Sequence, residues 1–268
     1  MKFDFILSWI TQALIIIAIV SGFPLVFFYY PNEAFESVQR ITNVIPYGLF
    51  IRKLHYFSSE LALVFVSLHT IYELILSKKP KEKYYFIFAS FAFFLILLLL
   101  YTGYVLKADQ AGKAAALVGE NILRDSHILK YISNLVIDEK LFYWKFFLWH
   151  ILFLPLFLII LTHLHAKKVL PQATFLSIAL GLALIVTCFL KLPQDIPFSI
   201  PAHHLKGPWF FQGIENMLKL NYPVDLSIIL GLFPFLVLPF YTYLKKEKHL
   251  HFLLVIWLIF YAYISLAF

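Results

Sequence analysis

The sequence predicts an all-α, polytopic membrane protein with about seven membrane-spanning helices. Of its 268 residues, 62% are apolar and only 14% are charged, whereas soluble domains carry about 25% charged residues. Several windows hold about 18 or more apolar residues almost without charge, which is typical of spanning helices, and strict β alternation is absent. A chain of this composition cannot cover itself with a polar surface, so we expect it to lie in a bilayer.

The candidate spans, A to G in order, cover roughly 6–30, 50–77, 83–106, 142–166, 172–191, 225–244 and 249–267. Each is expected to be a helix, because backbone groups in lipid must satisfy their own hydrogen bonds. Span A follows Met1 and Lys2 without a small-residue cleavage pattern, which predicts a retained helix rather than a signal peptide.

The net charge of +7 comes largely from lysines in short loops and does not indicate nucleic-acid binding. The B–C, D–E and F–G loops, which fall on one side with the N-terminus, hold Lys78, Lys79, Lys81, Lys83, Lys167, Lys168, Lys245, Lys246 and Lys248. The positive-inside rule makes that side cytoplasmic and places the C-terminus outside a prokaryotic cytoplasmic membrane. The longer connections, at roughly 31–49, 107–141 and 192–224, would then lie outside and carry function. The single cysteine, Cys188, excludes an iron–sulfur cluster held by this chain alone.

Two predicted helices carry pairs of histidines at nearly equal spacing. Span B has His55 and His69, 14 residues apart, and span D has His150 and His165, 15 residues apart. Fourteen steps of ~100° come within ~40° of whole turns and rise ~21 Å, so both imidazoles of a helix share one face at two depths. Histidine inside a membrane span is costly and indicates function. The four side chains therefore predict two bis-histidine sites of the kind that can hold haem iron.

Spacing alone leaves the fourth ligand open. His163 lies 13 residues after His150 and His165 lies 15 after it. Pro155 lies between them and can kink the helix, which absorbs part of the angular offset.

Small residues repeat the histidine spacing in the two other helices of this half. Span A has Ser8 and Gly22, and span C has Ala89 and Gly103, each pair 14 residues apart. Such residues would give a macrocycle room at both levels, although ordinary helix packing also uses small residues.

Several segments resemble the cytochrome b family, and its b6 branch most closely. They run from about residue 5 to about residue 245 and include Gly22-Phe23, Tyr29–Pro31, Gly48–His55, Thr102–Leu106 with Asp109-Gln110, and Leu205–Leu218. The b6-type pattern places a proline five residues and the second ligand fifteen residues after the first ligand. His150, Pro155 and His165 fit this pattern, so the resemblance selects His165 over His163.

The resemblance implies an antiparallel four-helix bundle (A–D) over residues 1–170 and a subunit-IV-like part with the outer quinol-site loop over residues 171–268. It implies two non-covalent haem b groups, the outer bound by His55 and His150 and the inner by His69 and His165. It also implies that Arg52 lies near a propionate of the outer haem, where a bidentate cation is apt.

The chain departs from the family at several places, and Tyr56 stands where an arginine often follows the first histidine of span B. Family members usually have Pro-Glu-Trp-Tyr in the outer loop, but this chain reads Gly207-Pro208-Trp209-Phe210 and lacks the proton-accepting glutamate. The Pro-Trp before Asp-Gln is replaced by Lys107-Ala108. Span A has Ile6 about where the b6 branch attaches a covalent haem through cysteine, so no covalent haem is expected.

The predicted function is therefore that of a dihaem cytochrome b subunit in a bc-type complex that oxidises quinol. The quinol would bind near Tyr104, Pro208, Trp209 and Phe210, with Glu215 or Asp109 as candidate bases, and Lys168 and Asp4 are candidates at the cytoplasmic face. A Rieske iron–sulfur protein and a c-type cytochrome, as separate chains, and a second copy of the chain are the expected partners.

Three other functions compete with this prediction. The chain could be a haem b electron conduit for another quinone-linked oxidoreductase, which the missing loop glutamate favours. It could be a haem-free transporter with histidine proton relays. A diiron hydroxylase is disfavoured because such sites need several clustered histidines, and His203-His204 is a lone loop pair.

Overall fold

The computed structural model of the protein describes residues 3–75, 83–131, 133, 142–167, 170–196, 205, 207–243 and 247–267. Regular structure in these ranges is helical, and no β-strand occurs among them, which confirms the predicted all-α class. The longer helices are α1 (Phe3–Val26), α2 (Ala34–Asn43), α3 (Gly48–Ile75), α4 (Lys83–Leu106), α5 (Gln110–Asp125), α6 (Phe142–Ala166) and α7 (Ala173–Phe189). They are followed by α8 (Gln212–Lys219), α9 (Val224–Gly231), α10 (Phe233–Val237) and α11 (Glu247–Ala267).

The predicted spans all correspond to helices, but they differ in how clearly they qualify as spanning. Among the described residues, α1, α4, α6 and α11 are long and apolar enough to cross a bilayer. Helix α9 and the helical segment that follows it, Phe233–Tyr241, together form a fifth candidate, which is bent by 70°. Helix α3 is less apolar because it carries two histidines and Glu60, although its 28 residues rise about 42 Å. Helix α7 has 17 residues. The chain is thus a helical membrane protein, while the count of seven stays a prediction.

Two antiparallel helix pairs form the first half of the molecule. Helix α1 packs along α3, and α4 packs along α6. Small residues let α1, α3 and α7 approach closely, since Ala13, Ala62, Ala179 and Ala183 are at most 2% exposed. A second core joins α3, α4 and α6 through Leu63, Ile96, Leu97 and Leu158. Large apolar side chains cover the outward faces, as expected for helices in contact with lipid.

The end of the bundle at which α1 finishes and α3 begins is called the loop end here. Helix α6 also begins at this end, and α4 finishes there, followed at once by α5. Asp109 joins two loops at this end. Its carboxylate accepts hydrogen bonds from the backbone N–H of Gly112 (2.9 Å), which caps α5, and from that of Ile196 (2.7 Å). It also pairs with Lys107 at 2.9 Å, and its side chain is fully buried.

Replacing Asp109 should loosen the loop end. Asp109→Ala removes the cap of α5 and leaves the Ile196 N–H without its acceptor, so we expect a loss of about 2–4 kcal/mol in the free energy of unfolding. Unfolding in mixed micelles would measure this loss. Glu120→Gln is the matched control on α5, because Glu120 pairs with Arg124 one turn later, and such a pair contributes about 0.5 kcal/mol or less. Equal losses in the two variants would contradict the conclusion that Asp109 holds the start of α5 and the backbone at Ile196 together.

Candidate functional site

His55 lies on the second turn of α3 and is held by α1. Its Nδ1 is 2.8 Å from the carbonyl oxygen of Ala18. The contact exists because Gly22 has no side chain, since a Cβ there would be 2.9 Å from Cε1 of His55. A ring whose Nδ1–H is donated to a backbone carbonyl keeps its Nε2 lone pair for a metal, the usual arrangement of metal-binding histidines.

His150 has an equivalent arrangement on the other helix pair. Its Nδ1 is 3.0 Å from Oγ1 of Thr102 on α4, and the Thr102 hydroxyl itself donates to backbone carbonyls of α4. A Cβ at Gly103 would lie 2.9 Å from Cε1 of His150. Each imidazole is therefore oriented by one neighbouring helix and packs over a glycine of that helix.

A π-helical turn surrounds His150. It covers Trp149–Phe153 within α6, directly before Pro155. Proline cannot donate to the carbonyl four residues earlier, and a π turn is one way in which a helix accommodates that loss. A π turn takes up one residue more than an α turn. The 15 residues from His150 to His165 therefore turn through about the same angle as 14 α-helical residues, which is the spacing of His55 and His69 on α3.

The two rings face each other across a cavity at the loop end. Their centroids are 6.0 Å apart and their planes are nearly perpendicular, at 83°. The cavity, of about 360 Å³, is mostly apolar, and both histidines and both glycines line it. Other lining side chains relevant to its chemistry are Tyr29, Arg52, Tyr56, Glu60, Tyr104, Lys107 and Phe210.

Comparison with known proteins decides what this cavity belongs to. A family model described as "Cytochrome b/b6/petB" matches residues 1–172. The chain belongs to the cytochrome b/b6 family. It is similar to a "Cytochrome b6" of Heliobacterium modesticaldum, with 36% identity over 117 residues that cover 42% of this chain and 54% of that protein.

A "Menaquinol:cytochrome c reductase cytochrome b subunit" of Bacillus subtilis is 31% identical over 124 residues, which cover 45% of this chain and 55% of that protein. The match thus spans about half the length of these curated relatives. A solved "Hyperthermophilic respiratory Complex III" has the same fold, with a TM-score of 0.71 at 19% identity over 99% of this chain and 83% of the other.

Membership of the cytochrome b/b6 family implies that the chain binds haem b, and the cavity fits such a group. Two imidazoles with their Nδ1 atoms already engaged face one space. The ring separation leaves room for a metal ion between them, because a metal–imidazole bond is about 2 Å long. The two glycines leave that space open, and the apolar lining suits a macrocycle.

Arg52, which the resemblance places near a haem propionate, has partners within the protein. Arg52 lines the cavity, but its guanidinium forms a bidentate pair with Asp195 at 2.7 and 3.0 Å and also donates to Thr42. Burial alone would raise the pKa of Asp195, but the hydrogen bonds and charge of Arg52 outweigh it and hold that pKa below its ordinary value. Asp195 was missed because a lone loop aspartate has no sequence signal that links it to Arg52.

The two candidate bases are placed differently. The carboxylate of Asp109 is engaged by the backbone N–H groups of Gly112 and Ile196 and by Lys107. Glu215, on α8, accepts a hydrogen bond from the Gly207 backbone N–H at 3.0 Å, and a Cβ at Gly207 would overlap its carboxylate. Burial raises the pKa of Glu215, although the Gly207 hydrogen bond and Lys219 oppose the shift.

The predicted quinol-site residues meet at one side of the cavity. Tyr104 and Phe210 line it, whereas Trp209 is 53% exposed and its Nε1–H donates to Glu60 at 2.9 Å. Glu60 was not singled out from the sequence. A carboxylate within a membrane span was a signal that could have identified it.

The second predicted haem site lies towards the opposite end of the bundle. His69 and His165 are half-buried, whereas His163 is exposed. Ala89 is also half-buried, and the hydroxyl of Ser8 donates to Phe5 within its own helix. The pairing of His69 with His165 stays a prediction. Asp4 is buried, and Lys168, His203 and His204 lie outside the described residues.

Filling either glycine should weaken haem binding. Gly22→Ala or Gly103→Ala places a methyl group against the neighbouring imidazole, and overpacking of this kind costs about 1–3 kcal/mol, or roughly 5- to 150-fold in affinity. The haem-to-protein ratio after purification would measure it. Gly181→Ala on α7 is the control, because nothing lies within 4 Å of a Cβ at that position. Full haem content in both test variants would argue against the proposed packing.

Neutralising Glu215 should stabilise the protein at neutral pH. The pKa of Glu215 is higher in the folded protein than its ordinary value of 4.5, so its contribution to stability is present in acid and lost as the pH rises through the folded pKa. The glutamine of Glu215→Gln does not ionise, so the variant should not lose this stability as the pH rises. Thermal unfolding in detergent should show the variant equal to the parent near about pH 4 and more stable near about pH 7.5. Glu36→Gln, at an exposed position on α2, is the control, and a variant less stable at both pH values would contradict the prediction.

Proposed function

We propose that this chain is the electron-transferring cytochrome b subunit of a bc-type complex that oxidises quinol. The observation that carries the proposal is the pair of imidazoles, His55 and His150, which face each other across an apolar cavity with their Nδ1 atoms engaged. The membership in the cytochrome b/b6 family supports it, as does the menaquinol:cytochrome c reductase subunit among its relatives.

In this proposal His55 and His150 would hold the outer haem through their Nε2 atoms. The haem, when bound, supplies a carrier for single electrons. Ala18 and Thr102 fix the orientation of the two rings, and Gly22 and Gly103 keep the space clear. The apolar lining excludes water, and Arg52 with Asp195 lies at the rim.

His69 and His165 would bind a second, inner haem, with Ser8 and Ala89 at its level. The π turn supports this pairing, because it gives α6 nearly the same histidine register as α3. Residues 1–170 would form the haem-binding bundle, and residues 171–268 would form a second part that contributes the outer loop. Both haems would be non-covalent.

The quinol would bind beside the outer haem, in the part of the cavity lined by Tyr104 and Phe210, with Pro208 and Trp209 in the adjoining loop. One electron would pass to a Rieske iron–sulfur protein and onward to a c-type cytochrome, both separate chains. The other would cross the membrane to the inner haem, and moving a charge against the membrane potential stores about 2.3 kcal/mol per 100 mV. The N-terminus would be cytoplasmic and the C-terminus outside, and two copies would form a dimer.

A second candidate function is a haem b conduit for another quinone-linked oxidoreductase. The loop Gly207-Pro208-Trp209-Phe210 favours it, because it lacks the glutamate usual in the family. Haem reduction by a quinol in the purified complex, blocked by an inhibitor of the outer site, would support the first function. Dithionite-reducible haems that no quinol reduces would support the second.

Histidine substitutions test the haem assignment. A dithionite-minus-oxidised spectrum with haem quantitation should give two b-type haems per chain. His150→Ala should remove the outer one and His165→Ala the inner one, because each haem would lose one of the two histidines that would hold it. His163→Ala is the matched control, since its exposed side chain should leave both haems bound. A parent protein without haem would overturn the proposed function.

A further inference from the structure

Glu60 is a carboxylate within α3, a predicted membrane-spanning helix. It lies near the middle of α3, and the six residues that follow it, 61–66, are apolar. An ionisable side chain within a span is costly and marks a functional group by default. Glu60 is half-buried, and among the described residues that line the cavity it is the one carboxylate.

The groups that hold Glu60 are neutral donors. Trp209 donates its Nε1–H at 2.9 Å from the loop, and the Tyr56 hydroxyl, one turn earlier on α3, also hydrogen-bonds the carboxylate. Trp209 is more than half exposed. Glu60 thus lies between the inside of the cavity and the exposed indole of Trp209.

The charged groups of the cavity are already paired with other partners. Arg52 pairs with Asp195, and Lys107 pairs with Asp109. A carboxylate in a close ion pair is a weak base, because the cation stabilises its ionised form. The remaining titratable groups on the cavity wall are Tyr29, His55, Tyr56, Tyr104 and His150. Glu60 is therefore the cavity's carboxylate without a cation among these partners.

The other carboxylates nearby are less suited to meet a ligand in the cavity. The side chain of Asp109 is fully buried and already binds Lys107 and the backbone of Gly112 and Ile196. Glu215 is taken up by the Gly207 backbone and does not line the cavity.

We infer that Glu60 accepts a proton from the quinol, in place of the glutamate that is absent from the outer loop. This inference rests on the proposed function. As the quinol O–H bond breaks, its proton forms an O–H bond with the Glu60 carboxylate. Of the two electrons released, one would go to the iron–sulfur acceptor of the proposed partner chain and the other to the haem that His55 and His150 would hold. The second hydroxyl proton goes to water at the loop end. Glu60 then releases its proton to the same side, which leaves quinone and a regenerated carboxylate.

The test uses the haem-loaded protein in its complex and compares Glu60→Gln with the parent. The amide keeps the shape and an acceptor for Trp209 but cannot take the proton. The rate of haem reduction by quinol should fall roughly 100-fold, the size of a general-base contribution. Haem reduction by dithionite should be unchanged. Glu36→Gln, at an exposed position on α2, should keep the parent rate.

Two further measurements do not depend on the turnover of Glu60→Gln, and the first of them uses a different variant. Trp209→Phe removes a donor to the ionised carboxylate, so the rising limb of the pH–rate profile should move to higher pH. Infrared difference spectra between acidic and alkaline buffer, without turnover, should show a protonated carboxyl band that is absent in Glu60→Gln. A quinone analogue bound at the outer site should shift that band.

The outcomes separate this inference from the function on which it rests. If quinol reduces the parent's haem and Glu60→Gln keeps the parent rate and pH profile, Glu60 is not the acceptor and the proposed function stands. If dithionite reduces the haem but quinol does not, even in the parent, the proposed function fails and this inference fails with it.

Discussion

The rest of the structure depends on the way two imidazoles are tied to the helices beside them. The Ala18 carbonyl orients His55 and the Thr102 hydroxyl orients His150, and each ring lies over a glycine. These contacts require α1 to lie close against α3 and α4 close against α6. The small residues of the helix interfaces permit that closeness, and the cavity is what remains between the two pairs.

The loop end adds a second constraint, which is electrostatic. The aspartates Asp109 and Asp195 each neutralise a cation at the edge of the cavity, and Asp109 also binds the backbone at the start of α5 and at Ile196. A charged group in a poorly hydrated region must be paired or neutralised. Because Lys107 and Arg52 are paired with these aspartates, the hydrogen-bond donors to Glu60 are the neutral groups of Trp209 and Tyr56. Our proposal that Glu60 accepts a proton depends on this arrangement.

Periodicity predicted much of this molecule because lipid restricts what a chain can do. The helix positions, the all-α class and the shared face of His55 and His69 follow from a hydrophobic pattern and a fixed rise per residue. The role of Gly22 and Gly103 was predicted as room for a group, whereas their direct contact with the histidines emerged only from packing. The pairing of Arg52 with Asp195, 143 residues apart in sequence, could not be read from any local pattern.

The sequence by itself determined the helices, the four candidate histidines and, through the resemblance, the family, because these depend on local spacing and on motifs of a few residues. Only the tertiary structure decided which nitrogen of each imidazole is engaged and which carboxylate lines the cavity. Those features depend on contacts between segments that are distant along the chain. Packing therefore identifies Glu60, which no sequence motif singled out, as the carboxylate among the described residues that line the cavity.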